Sequence, residues 1–251
     1  MSHLRHLLIE GYHRHYARVN PEQGPAVLMG AHRKQMQRTY GPLLAALPKG
    51  SKVLDLGCGA GYLLRWLSLQ PGIVPVGVDA SPSQVAVAQR AVPEVDIYCE
   101  DGLAFLRGRP DTFSAIFCMD VLEHLEDEDQ CLLWLQESAR ALRPGGFVVC
   151  RVPNAANITG VYTRYMDLTH KRSFTSTSLI QLIQAAGFIR CSVVPYRAGC
   201  LKGAVRLWAE NLLHRVLFRI CGQVHETVFT STVCVAGRRE PATMSPDAPE
   251  M

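Results

Sequence analysis

The chain has 251 residues, 48% of them hydrophobic, which is enough to bury a sizeable core, and α/β chains of this length commonly fold as one unit. No run approaches eighteen consecutive apolar residues, and the opening MSHLRHLLIEGYHRHYARV lacks an apolar core followed by a small-residue cleavage site, so neither export nor a membrane span is expected. Nine cysteines, an odd number without a Cys-x-x-Cys pair, read as buried free thiols in a reducing, cytoplasmic compartment.

The net charge of +4 divides unevenly along the chain. Residues 1–50 carry 7 Lys/Arg against 2 Asp/Glu, residues 51–139 carry 5 against 14, and residues 140–239 carry 14 against 3. An acidic middle between basic flanks implies separate tasks for the two.

In chain order, residues 1–50 are expected to form a helical cap, whose Tyr12, His13, His15 and Tyr16 could close over a ligand. Between Ser51 and Cys150 short apolar runs alternate with helical patterns, which argues parallel βαβ units. Strands are read at SKVLDLG, IVPVGVD, VDIYCE, FSAIFCMD and GFVVCRV. Helices are read at YLLRWLSLQ, at SPSQVAVAQRAV with Ser81 as N-cap and Pro82 in the first turn, and at EDQCLLWLQESARALR, stopped by Pro144-Gly145-Gly146. Pro75 cannot donate to a sheet ladder and is expected at its strand's start or at a bulge.

An irregular insert at 153–174 precedes a helix from Thr175 to Ala186 closed by Gly187, a strand near FIRCSVVP, a helical pattern at 203–221 and a last strand at TVFTSTVCVAG. In the 203–221 segment Val205, Trp208, Leu212, Val216, Leu217 and Ile220 make one apolar stripe, with Arg206, Arg215 and Arg219 off it. Such a helix suits a pocket cover, or peripheral contact with an anionic membrane. The Pro- and acid-rich residues 239–251 are expected to be a disordered tail. Residues 1–238 then form a single domain, with a cap at 1–50, a ligand-binding core at 51–152 and a substrate-covering insert with the final strands at 153–238.

Val53-Leu54-Asp55-Leu56-Gly57-Cys58-Gly59-Ala60-Gly61 is a buried strand running into three alternate glycines, which let the backbone turn tightly and let a ligand approach its amides. Loops that cradle a pyrophosphate have an apolar residue where Asp55 stands, because a carboxylate there repels the phosphates. Asp55 instead suits a cationic ligand, and S-adenosylmethionine offers an ammonium and a sulfonium. Asp79 and Ala80 end the second strand, 22 residues past Gly57, where an acidic side chain can accept from ribose hydroxyls. Glu100-Asp101-Gly102 closes the third strand, where a carboxylate can accept from an adenine amino group, and Met119-Asp120 closes the fourth beside the methionine moiety. All four positions lie at carboxyl ends of parallel strands, where α/β sheets bind ligands.

VLDLGCGAG, VGVDAS, EDG, FSAIFCMDVLEHL and LRPGGFVV, in this order and spacing, resemble the motifs of class I S-adenosylmethionine-dependent methyltransferases over about residues 40–152. The resemblance implies a Rossmann-like α/β fold: a seven-stranded sheet, mostly parallel with an antiparallel last strand, and helices on both faces. It also implies cofactor contacts at Asp55, Gly57, Gly59, Asp79, Asp101 and Asp120; Cys58, Gly61, Ala80, Glu100, Gly102 and Met119 stand in the same segments.

Methyl transfer from a sulfonium needs alignment and, for an alcohol, a base. The fourth strand lacks the Asn/Asp-Pro-Pro-aromatic sequence of amino-methylating nucleic-acid enzymes, no Pro-Cys pair offers a thiol for cytosine attack, and no Asp-Asn pair of metal-dependent catechol enzymes is present. The segment Asp167–Thr175 with SLIQLIQAAGF resembles small-molecule methyltransferases associated with sugar and polysaccharide synthesis. His170 is the first candidate base, braced by Asp167, with His124 second; each has a plain alternative role as a loop brace or packing residue. No metal is expected. Arg164, Lys171 and Arg172 are candidate contacts to an anionic acceptor, such as a nucleotide- or lipid-linked sugar. An RNA acceptor is permitted by the basic flanks, but no aromatic-basic motif supports it, and a non-catalytic cofactor-binding protein is the remaining alternative.

Overall fold

The apolar runs of the acidic middle form β1 (Ser51–Leu56), β2 (Ile73–Asp79), β3 (Asp96–Cys99), β4 (Phe113–Met119) and β5 (Leu142–Pro153) in the computed structural model, which describes residues 30–223 and 225–241. The aromatic segment at 12–16 and most of the 239–251 tail lie outside the described residues. β1 to β5 pair in parallel, β6 (Ile189–Val193) and β7 (Thr232–Arg238) follow, and β7 runs antiparallel to both β5 and β6. The spatial order β3-β2-β1-β4-β5-β7-β6 gives the expected seven strands with an antiparallel last one.

Strand side chains alternate between two buried layers, which is why the runs read as continuously apolar. Val53, Ala115, Phe117, Phe147 and Val149 meet α1 (Gly30–Leu44) and α2 (Tyr62–Leu67), with α3 (Pro82–Ala91) beside them. Leu54, Ile116, Cys118, Val148 and Cys150 face α4 (Gly102–Arg107), α5 (Glu128–Ala141) and α7 (Ser176–Ala185). Ser81 caps α3 as expected, accepting from the Gln84 amide at 3.4 Å with Pro82 in the first turn. All nine cysteines are free thiols, but only five are buried: Cys191 is half-buried and Cys99, Cys200 and Cys221 are exposed, at a sheet-edge strand and at the two ends of the exposed helix that follows β6.

Several local readings change. Pro75 lies inside β2 in an unbroken register with β1, opposite Val53. β3 starts pairing only at Val76, so at Pro75 the strand is still a sheet edge, where a missing donor is tolerated. α5 ends at Ala141, and Pro144-Gly145-Gly146 belong to β5, where the register against β4 shifts and Gly145 takes φ +77. The short α4 was not read from the sequence, and the insert contains one more helix, α6 (Gly160–Tyr165).

The largest change concerns α8 (Leu201–Ile220). Its inward face is Leu207, Glu210, Asn211, His214, Leu217 and Phe218, and His214 is its one fully buried residue among the described ones. His214 Nδ1 donates to the Glu210 carbonyl, its Nε2 accepts from the Ile158 amide at 2.7 Å, and its ring stacks on Phe229. Apart from Leu217, the apolar stripe is exposed, Trp208 to 66% and Ile220 to 78%, and only Trp208 and Leu212 of it border a cavity, in the manner of a pocket cover. Helical period locates a stripe but not the side that packs, and here buried hydrogen bonds choose the polar side. Among the described residues no helix is long and apolar enough to cross a membrane.

Candidate active site

β1 ends in a loop that only glycine can build. Gly57, Gly59 and Gly61 all have positive φ, at +80, +50 and +86. A Cβ on Gly57 would stand 2.5 Å from Val121 Cγ2, whereas one on Gly59 would meet nothing within 4 Å, so the backbone at Gly59 borders open space where a ligand can approach. Cys58 is buried beneath the loop.

Asp79 holds this loop from the end of β2. Its Oδ2 accepts from the Gly59 amide at 2.8 Å and its Oδ1 from the Ser81 amide at 2.9 Å, just past Ala80. Burial pushes the Asp79 carboxyl up, while these two amides pull it down. Asp55, closed off behind the loop, is pushed up to about 8 by burial first and by the Asp79 charge second. At the end of β3, Asp101 caps α4 through the Ala104 amide at 3.0 Å, Gly102 opens that helix, and Glu100 sits 4.0 Å from Arg109. These residues sit together at the carboxyl edge as expected, with fold-bracing bonds in addition.

Met119 ends β4 and Asp120 follows it with φ +56, a left-handed conformation that Asp tolerates better than most residues. Its carboxylate is gripped by Arg151 of β5, through Nε at 3.1 Å and through a second, shorter contact. Sequence reading missed Arg151, although one cation inside the apolar run FVVCRV was a legible signal.

Arg151 also lines a cavity of about 570 Å³ between α1, β5, β6, β7, the 227–230 segment and one side of α8, where the exposed Trp208 and Leu212 border it. Tyr40, Val194, Tyr196, Asn211 and Arg215 line it too.

The three catalytic candidates converge. His124 and His170 have ring centroids 4.7 Å apart. Thr169 joins Asp167 to His124: its hydroxyl lies 2.6 Å from Asp167 Oδ1 and 2.8 Å from His124 Nδ1. The hydroxyl proton goes to the carboxylate, so His124 Nδ1 is the donor to Thr169. His170 Nδ1 donates to the Thr163 carbonyl at 2.9 Å. Burial, and then the neighbouring His170, pull His124 down to about 4, so that it is neutral at physiological pH.

The basic residues of the insert are engaged within the chain instead of facing the cavity. Arg172 donates to the Leu125 and Glu126 carbonyls at 2.7 and 2.9 Å and pairs with Glu128. Arg164 donates to the Lys171 carbonyl, and Lys171 lies 3.7 Å from Glu126. Backbone carbonyls where the chain turns after β4 attract Arg172, and sequence spacing gives no sign of that.

The family model described as a methyltransferase domain matches residues 29–189. The chain is 36% identical over 104 residues to methyltransferase GfsG of Streptomyces halstedii, covering 39% of this chain and 36% of that protein. It is 34% identical over 106 residues to the mitochondrial ubiquinone biosynthesis O-methyltransferase of Schizosaccharomyces pombe, covering 40% of this chain and 37% of that protein. The matches thus span little more than a third of these two curated relatives. A SAM-dependent methyltransferase structure from Archaeoglobus fulgidus superposes with a TM-score of 0.65 at 17% identity, over 90% of this chain and 99% of that one, and so has the same fold. With the glycine loop, the acidic strand ends and the seven-stranded order in place, the chain belongs to the class I methyltransferase domain family, whose cofactor is S-adenosylmethionine.

Proposed function

We propose that the protein O-methylates a small cytoplasmic acceptor carrying a phosphate or similar anion, such as a nucleotide- or lipid-linked sugar. The observation that carries this reading is the cavity beside the Asp120–Arg151 pair, whose volume of about 570 Å³ suits a small molecule. Arg215 gives it a cation and Asn211 and Tyr196 give it polar groups for a sugar. In the reaction the acceptor hydroxyl loses its proton, the new C–O bond forms as the S–CH3 bond breaks, and neutral S-adenosylhomocysteine leaves.

The test is a screen of cell extract for metabolites that gain one methyl group, followed by kinetics on the acceptor found. Arg215→Glu is expected to raise the acceptor KM at least tenfold with cofactor affinity unchanged. Arg172→Glu is expected to act on stability instead, since it breaks contacts to the Leu125 and Glu126 carbonyls, which do not line the cavity. An unchanged KM in Arg215→Glu would sink the anionic acceptor, and methylation confined to amines would sink O-methylation.

Peripheral membrane contact through α8 belongs to the same proposal. Twelve of the seventeen large exposed hydrophobics among the described residues fall in just two segments, 158–168 and 201–220. The Asn157–Glu210 and Ile158–His214 bonds tie these segments together. Lys202, Arg206 and Arg219 are exposed on α8 and do not line the cavity, while its one acid, Glu210, is turned inward onto Asn157. A second copy docking through this face would set cations against cations, whereas an anionic bilayer complements both the cations and the Trp208, Tyr162 and Tyr165 side chains. The protein is expected to sediment with phosphatidylcholine vesicles containing phosphatidylglycerol and not with phosphatidylcholine alone. Trp208→Glu, and separately Arg206→Glu with Arg219→Glu, should abolish it, each lost cation being worth about 1 kcal/mol. No binding to the anionic vesicles, or a dimer in solution that Trp208→Glu dissociates, would overturn the membrane assignment.

A further inference from the structure

Glu123, three residues past Asp120, is sealed from solvent, and no other residue donates a hydrogen bond to either of its carboxylate oxygens. Burying a carboxylate without compensation costs several kcal/mol, and a protonated one would still bury a hydroxyl with no acceptor. Nearby cations are paired with other acids, Lys171 with Glu126 and Arg151 with Asp120, so that Arg151 offsets the burial of Glu123 only in part. Two imidazoles lie beside Glu123 as well. One ligand-capable atom from each of Glu123, His124 and His170 lies within 4.8 Å of the other two.

The hydrogen bonds also set the tautomers. His124 gives its Nδ1 proton to Thr169, which is anchored on Asp167, and His170 gives its Nδ1 proton to the Thr163 carbonyl. With Nδ1 donating in this way, the neutral form of each ring carries its lone pair on Nε2. Metal-binding imidazoles are oriented in this way, with the far nitrogen donating to a carboxylate or carbonyl system.

Against the sequence expectation of no metal, we propose that Glu123, His124 and His170 bind one divalent first-row transition-metal ion. Two imidazoles and one carboxylate suit Mn2+ or Zn2+ better than Mg2+ or Ca2+, which prefer all-oxygen sites, and three protein ligands leave coordination positions open. The role of the ion rests on the O-methylation reading. Following β4 at the carboxyl edge, it would hold the acceptor hydroxyl, whose proton leaves to water, so that the oxygen attacks the methyl carbon as an alkoxide.

The full chain, stripped with EDTA, is titrated with Mn2+ while free Mn2+ is followed by electron paramagnetic resonance. One equivalent per chain is expected. Glu123→Gln and His170→Gln should each weaken binding at least tenfold while keeping S-adenosylmethionine affinity, which reports an intact fold, and His32→Ala, at an exposed position of α1, should leave binding unchanged. Zn2+ retained through purification, measured by elemental analysis, should follow the same ranking. Wild type that binds no more Mn2+ or Zn2+ than Glu123→Gln overturns the site. Full methyl transfer in EDTA overturns the catalytic role and leaves O-methylation standing. Metal binding together with exclusive N-methylation leaves the site standing and removes O-methylation.

Discussion

Asp55→Asn is expected to raise the melting temperature of the cofactor-free protein while weakening S-adenosylmethionine binding by at least about tenfold, or roughly 1.4 kcal/mol. Both effects follow from one buried carboxyl. Asp55 is pushed up to about 8 in the folded chain, from an ordinary value of 3.8, by burial first and Asp79 second. Between those values the unfolded chain has given up the proton and the folded chain still holds it, so folding stability falls as pH rises through that window. Asparagine has no such titration, and the melting-temperature gap in its favour should therefore open from pH 4 towards pH 8. The cationic cofactor favours the ionised form, so binding near pH 7 should release a proton. Calorimetry in buffers of different ionisation enthalpy measures that release. A cofactor affinity that Asp55→Asn leaves unchanged, with no proton released, would take Asp55 out of the cofactor site.

What could be read in the sequence was whatever depends on neighbours along the chain. The β1 run, its glycines, Ser81-Pro82 and the carboxylates at strand ends are local patterns, and the structure brings them together at one sheet edge. Pro75 was misplaced because its tolerance depends on where β3 starts pairing. The stripe on α8 was found and its direction was not, because Phe229 and Asn157, which select the packed side, come from distant segments. Arg172 looked available to a ligand because nothing in its vicinity reveals the carbonyls of Leu125 and Glu126, more than forty positions away, that occupy it. Glu123 was in view within MDVLEHL, but only its burial beside His170, also more than forty positions away, makes it unusual.

His170→Ala is expected to lower kcat by about 10² or more with cofactor affinity retained, and this holds whether the imidazole accepts the hydroxyl proton itself or holds an ion that acidifies it. The smaller change Thr169→Val separates positioning from mere packing. It removes the hydroxyl that passes the Asp167 charge to His124, while β-branching and volume are kept. Such outer partners of an imidazole are worth about 10- to 100-fold in activity or metal affinity, so kcat should fall at least tenfold with KM for the cofactor unchanged. Thr169→Ser restores the hydroxyl without the methyl and should recover most of the rate; a role in loop packing would predict the reverse order, with valine active and serine impaired. Wild-type kcat in both His170→Ala and Thr169→Val would mean that the cluster at the end of β4 only braces the insert, and that the acceptor hydroxyl is activated elsewhere.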